Sequence, residues 1–384
     1  MRIAVNIVRI FVGLLFILSG LVKANDPLGL SYKMQEFFEV WNASLHASRF
    51  FLKDVLISLF HFFHEYSLAL SIIMITLEII AGVALWIGWR KKFVLNLLLL
   101  LIIFFTFLTA YAYWSGKFKS CGCFGDCIPI TPMTSFLKDV LLLILIGFLI
   151  AFQRYIEPLF TRRINSVIIA GSLLLTLAFQ WYVLNYLPVV DCLPFKKGNN
   201  IQEQMKIPPN AIQDSFAMKF IYKKDDKEYE FSPNDLPADL DQYTFVDRTQ
   251  KLVRKGNAEP PIKGFSLNST SGADATQEVL EAPIAVILFI ENFNKNPSSW
   301  IEDFKTVYEQ AKQKNITTVV ATADPRRAEQ YFASQNLTDL PVYSTDNTAV
   351  KTAARTNPTI FLLKQGTVTE KLSYKQMDQL IPKL

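Results

Sequence analysis

Five long apolar segments dominate the first half of this chain of 384 residues. They cover approximately residues 3–22, 66–88, 93–114, 136–152 and 164–186. A helix needs about 20 apolar residues to cross a bilayer, and a buried helix of a soluble protein could explain one such segment but not five. The sequence therefore predicts a protein that crosses a membrane five times.

Basic residues in the short links between these segments predict the orientation. Arg90-Lys91-Lys92 follows the second segment, and three arginines follow the fourth. Short loops rich in Lys and Arg stay in the cytoplasm. We therefore expect a cytoplasmic N-terminus, with the first and third connections and all residues after Tyr186 outside. The first segment could instead be a cleaved signal peptide, which would leave the remaining topology unchanged.

The first outer connection is unusually long and carries Phe, Leu and Trp among charged residues. Its apolar residues recur at near-helical spacing within residues 32–64. This pattern predicts one or two amphipathic helices that lie against the membrane surface or cap the bundle.

All four cysteines fall outside the apolar segments. Cys121, Cys123 and Cys127 lie in the third connection, and Cys192 follows the fifth segment. The predicted topology places all four on the outer face, which suits an oxidising compartment such as the bacterial periplasm. Four cysteines allow three pairings, and the sequence does not choose among them. The cluster predicts thiol–disulfide exchange or a permanent disulfide that ties the loop to Cys192, and its spacing is not a usual zinc pattern.

Two charged residues lie inside predicted spans, Arg9 in the first and Glu78 in the second. A carboxylate in lipid is costly and usually has a charged partner or a wet cavity. We expect Arg9 to be the first candidate partner of Glu78 and Lys23 the second. The group predicts either a structural charge pair or a site for a substrate or proton.

The chain acquires a soluble composition after Tyr186, and residues 187–260 read as an extracytoplasmic connecting region. In residues 261–384 strands and helices alternate in the order β-α-β-α-β-β-α, which predicts an α/β domain. This order resembles the thioredoxin fold, and Thr356-Asn357-Pro358-Thr359 resembles the cis-proline loop of that fold. No cysteine follows Cys192, so this domain has no thiolate for disulfide exchange. We expect it to bind a partner or substrate on the surface beside Pro358.

The apolar half also resembles a known family. The opening of DoxX-like membrane proteins is similar to a set of residues in the first segment: Arg9, Gly13, Phe16, Ser19, Gly20 and Lys23. Glu78 and Gly82 fit the same pattern, and Cys121-Gly-Cys123-Phe-Gly resembles the MauE branch, the methylamine-utilisation redox-associated proteins. The resemblance covers approximately residues 1–155. It implies a four-helix membrane bundle that takes part in electron transfer or disulfide formation in partners.

The expected architecture is thus a DoxX/MauE-like four-helix bundle, a fifth span at residues 164–186, and a thioredoxin-like extracytoplasmic α/β domain. The fifth span and the fused domain depart from the family pattern.

The leading hypothesis is a bacterial inner-membrane protein of thiol–disulfide exchange or electron transfer at the periplasmic face. Cys121, Cys123 and Cys127 would exchange, and Cys192 would be their partner. The alternative is a non-catalytic scaffold whose domain binds a partner and whose disulfides only hold loops. Whether the chain is an enzyme stays open between these two.

Expected partners are membrane lipid and a periplasmic protein client. The formal net charge of +5 is modest and does not indicate nucleic-acid binding. No nucleotide, haem or flavin motif is present, and no metal site is expected. A quinone remains open as a cofactor, although no residue pattern in the sequence supports one.

Overall fold

A computed structural model describes the chain except for residues 49, 119–121, 123–124, 214, 226, 234, 238, 255, 257 and 294–298. Its first half contains seven α-helices within the described residues. They are α1 (Arg2–Ala24), α2 (Pro27–His46), α3 (Lys53–Glu65), α4 (Ser67–Ile87), α5 (Lys91–Ser115), α6 (Pro132–Ala151) and α7 (Arg162–Tyr186). Among these, α1, α4, α5, α6 and α7 are long and apolar enough to cross a membrane. The prediction of a multi-pass protein is confirmed by these helices.

The amphipathic helices predicted in the long first connection are α2 and α3. Helix α2 begins where Asp26 caps its first turn: the Asp26 carboxylate accepts a hydrogen bond of 2.9 Å from the backbone N–H of Gly29. Pro27 occupies the first helical turn, where its missing N–H costs nothing.

Helices α1 and α4 pack closely because glycines face each other. A Cβ atom on Gly82 would lie 2.8 Å from the carbonyl oxygen of Gly13, and one on Gly13 would lie 3.0 Å from that of Gly82. Without a hydrophobic driving force in lipid, small residues let helix backbones approach and gain packing energy. Side chains of α1, α4, α5 and α6 then form the buried core of the bundle, including Val12, Leu85, Leu98 and Ile146.

The second half contains eight strands and five further α-helices within the described residues. The strands are β1 (Ser215–Lys224), β2 (Lys227–Phe231), β3 (Thr244–Arg254), β4 (Ala285–Ile290), β5 (Thr317–Thr322), β6 (Val342–Ser344), β7 (Thr359–Lys364) and β8 (Thr367–Ser373). The helices are α8 (Ile201–Gln204), α9 (Thr276–Glu281), α10 (Ile301–Gln313), α11 (Pro325–Ser334) and α12 (Asn347–Ala353). The α/β domain predicted from alternating strands and helices is therefore present.

The main sheet has the strand order β6-β5-β4-β7-β8. Strand β4 is central, with β5 parallel on one side and β7 antiparallel on the other. Its six residues are all buried, and alternate side chains enter opposite layers of the core. Val286, Leu288 and Ile290 pack with α10 and α11, whereas Ile287 and Phe289 pack in the second layer.

The segment directly after the fifth span contributes to this second layer. Phe195 and Ile201 are fully buried there, with Phe195 edge-to-face on Phe289 and Phe361. Part of the region predicted as connecting thus packs into the core of the α/β domain.

A separate three-stranded sheet has the order β2-β1-β3. It lies within residues 187–260, which were predicted only as a connecting region. Strand β3 alternates charged and apolar residues irregularly, and its pairing with β1 contains two register shifts.

Three local features of the α/β domain differ from the predicted order. Helix α9 precedes the first strand of the main sheet, where no helix was predicted. Helix α12 was not predicted; it is seven residues long and begins at Asp346, whose carboxylate accepts from the N–H groups of Thr348 and Ala349. The final segment, Met377–Lys383, is a 3-10 helix and not an α-helix, and it contains Pro382, which lacks a backbone donor.

We predict that Gly82→Ala separates α1 from α4 and destabilises the bundle by about 1–3 kcal/mol, the usual cost of overpacking. The measurement is thermal unfolding of the purified protein in detergent. Gly147→Ala on α6 is the control, because a Cβ atom there meets nothing within 4 Å. Equal unfolding temperatures for the two variants would contradict the role of the glycine contact.

Candidate functional site

A buried ion pair joins the first two spans. The Lys23 ammonium donates to both carboxylate oxygens of Glu78, at 2.6 and 2.8 Å. The two side chains are only 4 and 3 % exposed, so water solvates neither charge appreciably. The pair therefore meets the requirement that a charge within a span finds a partner.

The expectation that Arg9 would be the first partner of Glu78 is wrong. Arg9 instead donates to the backbone carbonyl of Glu157, in the link between α6 and α7, at 2.9 Å. The reason is the register of α1 on α4. Gly13 faces Gly82, and Gly20 lies against Glu78, so Arg9 is about three turns away from the carboxylate.

A second acidic side chain of the bundle, Asp139 on α6, was not predicted from the sequence. It is completely buried; Thr109 donates to its Oδ2 at 3.1 Å, and the Lys138 ammonium lies 2.8 Å from its Oδ1. A cavity of about 20 Å³ separates it from Glu78 and is lined also by Ser19. That volume is enough for one water molecule. The sequence signal that could have revealed Asp139 was the Lys138-Asp139 pair at the start of the fourth apolar segment.

A disulfide bond joins Cys127 to Cys192, with their Cα atoms 4.9 Å apart. It ties the connection between α5 and α6 to the segment that follows α7. Cys121 and Cys123 lie outside the described residues. Gly122, which stands between them in the sequence, packs on the aliphatic part of Lys33 in α2.

Each cysteine of this disulfide directly follows an aspartate, and both aspartates bind cations of the α/β domain. The Arg355 guanidinium donates to Asp126 at 3.0 Å and to Asp26 at 2.7 Å. The Lys371 ammonium donates to Asp191 at 2.6 Å. Both basic side chains are buried, so the α/β domain holds both ends of the disulfide through charge-assisted hydrogen bonds.

The electrostatics of this contact follow from burial and the facing carboxylates. Burial by itself would lower the pKa of Arg355, but Asp26 and Asp126 raise it above its usual value. Burial lowers the pKa of Lys371, and Asp191 opposes that shift. Burial, together with the nearby Glu291, raises the pKa of Tyr32 well above its usual value, so its hydroxyl remains a donor.

The surface beside Pro358 faces the membrane half of the same chain. The Asn357–Pro358 peptide bond is cis, and the Asn357 side chain accepts from the backbone N–H of Glu291 at 3.0 Å. Glu291 in turn accepts a hydrogen bond of 2.9 Å from the Tyr32 hydroxyl on α2. The loop before Pro358 thus lies at the junction with the bundle.

The last turn of α1 and the two residues after it connect the ion pair, the segment after α7 and the α/β domain. Lys23 pairs with Glu78, Asn25 exchanges hydrogen bonds with the backbone of Val190, and Asp26 binds Arg355. Asn25 was not predicted as a site residue, because a single asparagine at a helix end usually only caps the helix.

Comparison with known proteins agrees with this description of the membrane half. Residues 1–152 match the family described as methylamine utilisation protein MauE, which confirms that part of the predicted resemblance. Residues 216–255, which contain most of the three-stranded sheet, match a domain family of unknown function. No curated protein matches the chain.

We predict that Lys23→Met, which leaves Glu78 buried without its partner, destabilises the bundle by about 3–5 kcal/mol. The double variant Lys23→Met with Glu78→Leu should regain much of this loss, because it removes both charges. Unfolding of both variants in detergent, completed as a double-mutant cycle, measures the coupling. Additive effects of the two substitutions would contradict a direct pair.

Proposed function

We propose that this protein carries out thiol–disulfide exchange or electron transfer at the outer face of a bacterial inner membrane. The observation that carries the proposal is the position of the Cys127–Cys192 disulfide. It lies between the bundle and the α/β domain. Arg355 and Lys371 of the α/β domain bind the aspartates that precede its two cysteines. The match of residues 1–152 to a methylamine utilisation protein supports a membrane role of this kind.

The disulfide gives the four cysteines two different roles in this proposal. With Cys127 and Cys192 bonded to each other, Cys121 and Cys123 are the two cysteines that remain in the chain. We assign exchange to these two, and to the Cys127–Cys192 bond the task of fixing the loop that carries them. A Cys-Gly-Cys bridge closes a very small ring, and strained exposed disulfides are the ones that exchange readily.

The α/β domain acts in this proposal as a thioredoxin-like module without thiols. The strand order, with a central β4 between a parallel and an antiparallel neighbour, supports that assignment. In thioredoxins the redox cysteines follow the central strand, and here Glu291 at that place contacts Tyr32 of the bundle. The domain therefore presents its equivalent edge to α2 of its own chain, and its Arg355 binds Asp126 in the connection between α5 and α6, residues 116–131, called here the thiol loop. A periplasmic client would reach the thiol loop beside the domain.

The proposed orientation places the thiol loop, the last residues of α7 and the α/β domain in the periplasm. The basic residues of the short links support it. The link between α6 and α7 also accepts from two basic side chains: Arg9 of α1 donates to the carbonyl of Glu157, and Lys91 at the start of α5 donates to that of Ile156 at 2.9 Å.

The alternative function is a non-catalytic scaffold. It is favoured by the pairing of Cys127 with Cys192, because that bond closes a loop of 65 residues and would stabilise the fold by about 4 kcal/mol without any exchange. Both functions need the bond, so the behaviour of Cys121 and Cys123 separates them.

We expect mild reductant to reduce Cys121 and Cys123 while the Cys127–Cys192 bond persists. Membranes would be alkylated with reagents of two masses before and after reduction, and the labelled peptides identified by mass. Cys123→Ala should capture mixed disulfides with client proteins through Cys121, and Cys121→Ala should do so through Cys123. Failure of every single variant to form a mixed disulfide, with unreactive thiols in the intact protein, would favour the scaffold.

We further predict that Arg355→Gln loosens the α/β domain from the bundle, because Asp26 and Asp126 lose their shared cation. Hydrogen exchange should increase in residues 25–32 and 125–128, while the sheet core around β4 stays protected. Lys364→Gln, a change of an exposed lysine at the end of β7, is the control. Unchanged exchange in Arg355→Gln would show that other contacts hold the domain.

A further inference from the structure

A large apolar cavity lies beside the thiol loop, between α2, α3 and α5. Its volume is about 700 Å³, within the range of ligand sites in proteins. Its walls are mainly aromatic and include Phe37, Phe38, Trp41, Phe60, Phe104 and Phe107. Phe104 and Phe107 lie on α5 and are 41 and 56 % exposed, so the cavity opens on the surface that would face lipid.

This cavity continues toward the buried ion pair. A second cavity of about 40 Å³ shares four wall residues with the first: Met34, Phe37, Phe104 and Leu108. Its remaining walls include Lys23, Thr109 and Gly122. The two together form an apolar passage with one polar end, and that end lies under the thiol loop.

The polar end suits a neutral head group better than an anionic one. Lys23 is paired with Glu78, and the Lys33 ammonium lies 2.8 Å from a carboxylate oxygen of Glu36. A phosphate would therefore meet lysines whose charges are already balanced. An ammonium has three protons, and Glu78 receives two from Lys23. The ammonium also lies 4.8 Å from the centre of the Phe105 ring, so a carbonyl acceptor would take the third proton in exchange for a weak cation–π contact.

We propose that this passage binds an isoprenoid quinone. The quinone ring would lie at the end formed by Lys23 and Gly122, where a ring carbonyl accepts the remaining Lys23 proton. The isoprenoid chain would lie among the aromatic side chains of the larger cavity and enter it from the bilayer.

This inference rests on the proposed function, because it supplies the electron acceptor which thiol oxidation requires. When a dithiol is oxidised, two S–H bonds break and one S–S bond forms, which releases two electrons and two protons. A bound quinone takes up both electrons and both protons and becomes a quinol, so the exchange balances.

The test is equilibrium binding of a benzoquinone with a short isoprenoid chain to the full-length protein in detergent, quantified by chromatography. Leu108 lines both cavities, and Leu108→Trp should fill their junction and weaken binding at least tenfold. Leu100→Trp, two turns earlier on α5 at a position 66 % exposed, is the matched control and should change binding less than twofold.

Trp41→Ala is a second variant that keeps the test decisive if Leu108→Trp does not fold. It removes a wall of the larger cavity and should also weaken binding, with folding checked by monodisperse elution. Absence of saturable quinone binding to the unaltered protein, or equal binding by all variants, would overturn the inference. Phospholipid retained in the cavity in place of quinone would overturn it too.

The serine double variant Cys121→Ser with Cys123→Ser separates this inference from the proposed function. Quinone binding should persist in that variant, because the contacts proposed for the quinone come from described residues such as Lys23, Phe37 and Leu108. Persistent binding together with inert thiols in the unaltered protein would reject the exchange function and leave the quinone site standing. Active thiols without quinone binding would do the reverse.

Discussion

The buried guanidinium of Arg355 determines how the two halves of this protein fit together. It donates to one carboxylate at the start of α2 and to another in the thiol loop. A planar guanidinium presents its donors in fixed directions, so binding two carboxylates at once restricts both the position and the rotation of the α/β domain. The contact of Lys371 with Asp191 adds a third point, next to the other cysteine of the disulfide.

These contacts place the buried Lys23–Glu78 pair and the thiol loop next to the same α/β domain. The end of α1 is the link, because Lys23 and Asp26 are three residues apart, and Lys23 binds Glu78 in the bundle while Asp26 binds Arg355 of the α/β domain. The cavity that joins Lys23 to the aromatic side chains of α2 and α5 lies at the same level. The described structure thus concentrates its charged, sulfur-containing and ligand-sized features in one region.

Much of the fold could be predicted from local patterns. The five apolar segments were placed within a few residues of the observed helices, and the alternation of strands and helices in the last domain predicted an α/β sheet. Helix α12 was missed because it has only seven residues, too few for a clear periodic pattern, and because its start depends on the Asp346 cap. The two candidate partners of Glu78, Arg9 and Lys23, were ranked in the wrong order, because the choice between them depends on the helix register set by Gly13 and Gly82. Asp139 was overlooked because a charge near the end of a span commonly reaches the interface.

The sequence by itself determined that the chain spans a membrane, that its cysteines share one side in the predicted topology, and that its last domain has no thiol. These properties follow from the lengths of the apolar segments and from the order and composition of residues, which do not depend on contacts between distant parts of the chain. Only the tertiary structure decided which cysteines bond, which cation meets Glu78, and that Asp126 and Asp191 both bind the α/β domain. Such pairings join residues 55 to 229 positions apart. Several cysteines or charged side chains of the same type could form each pair, and the register of the helices and the docking of the α/β domain select one of them.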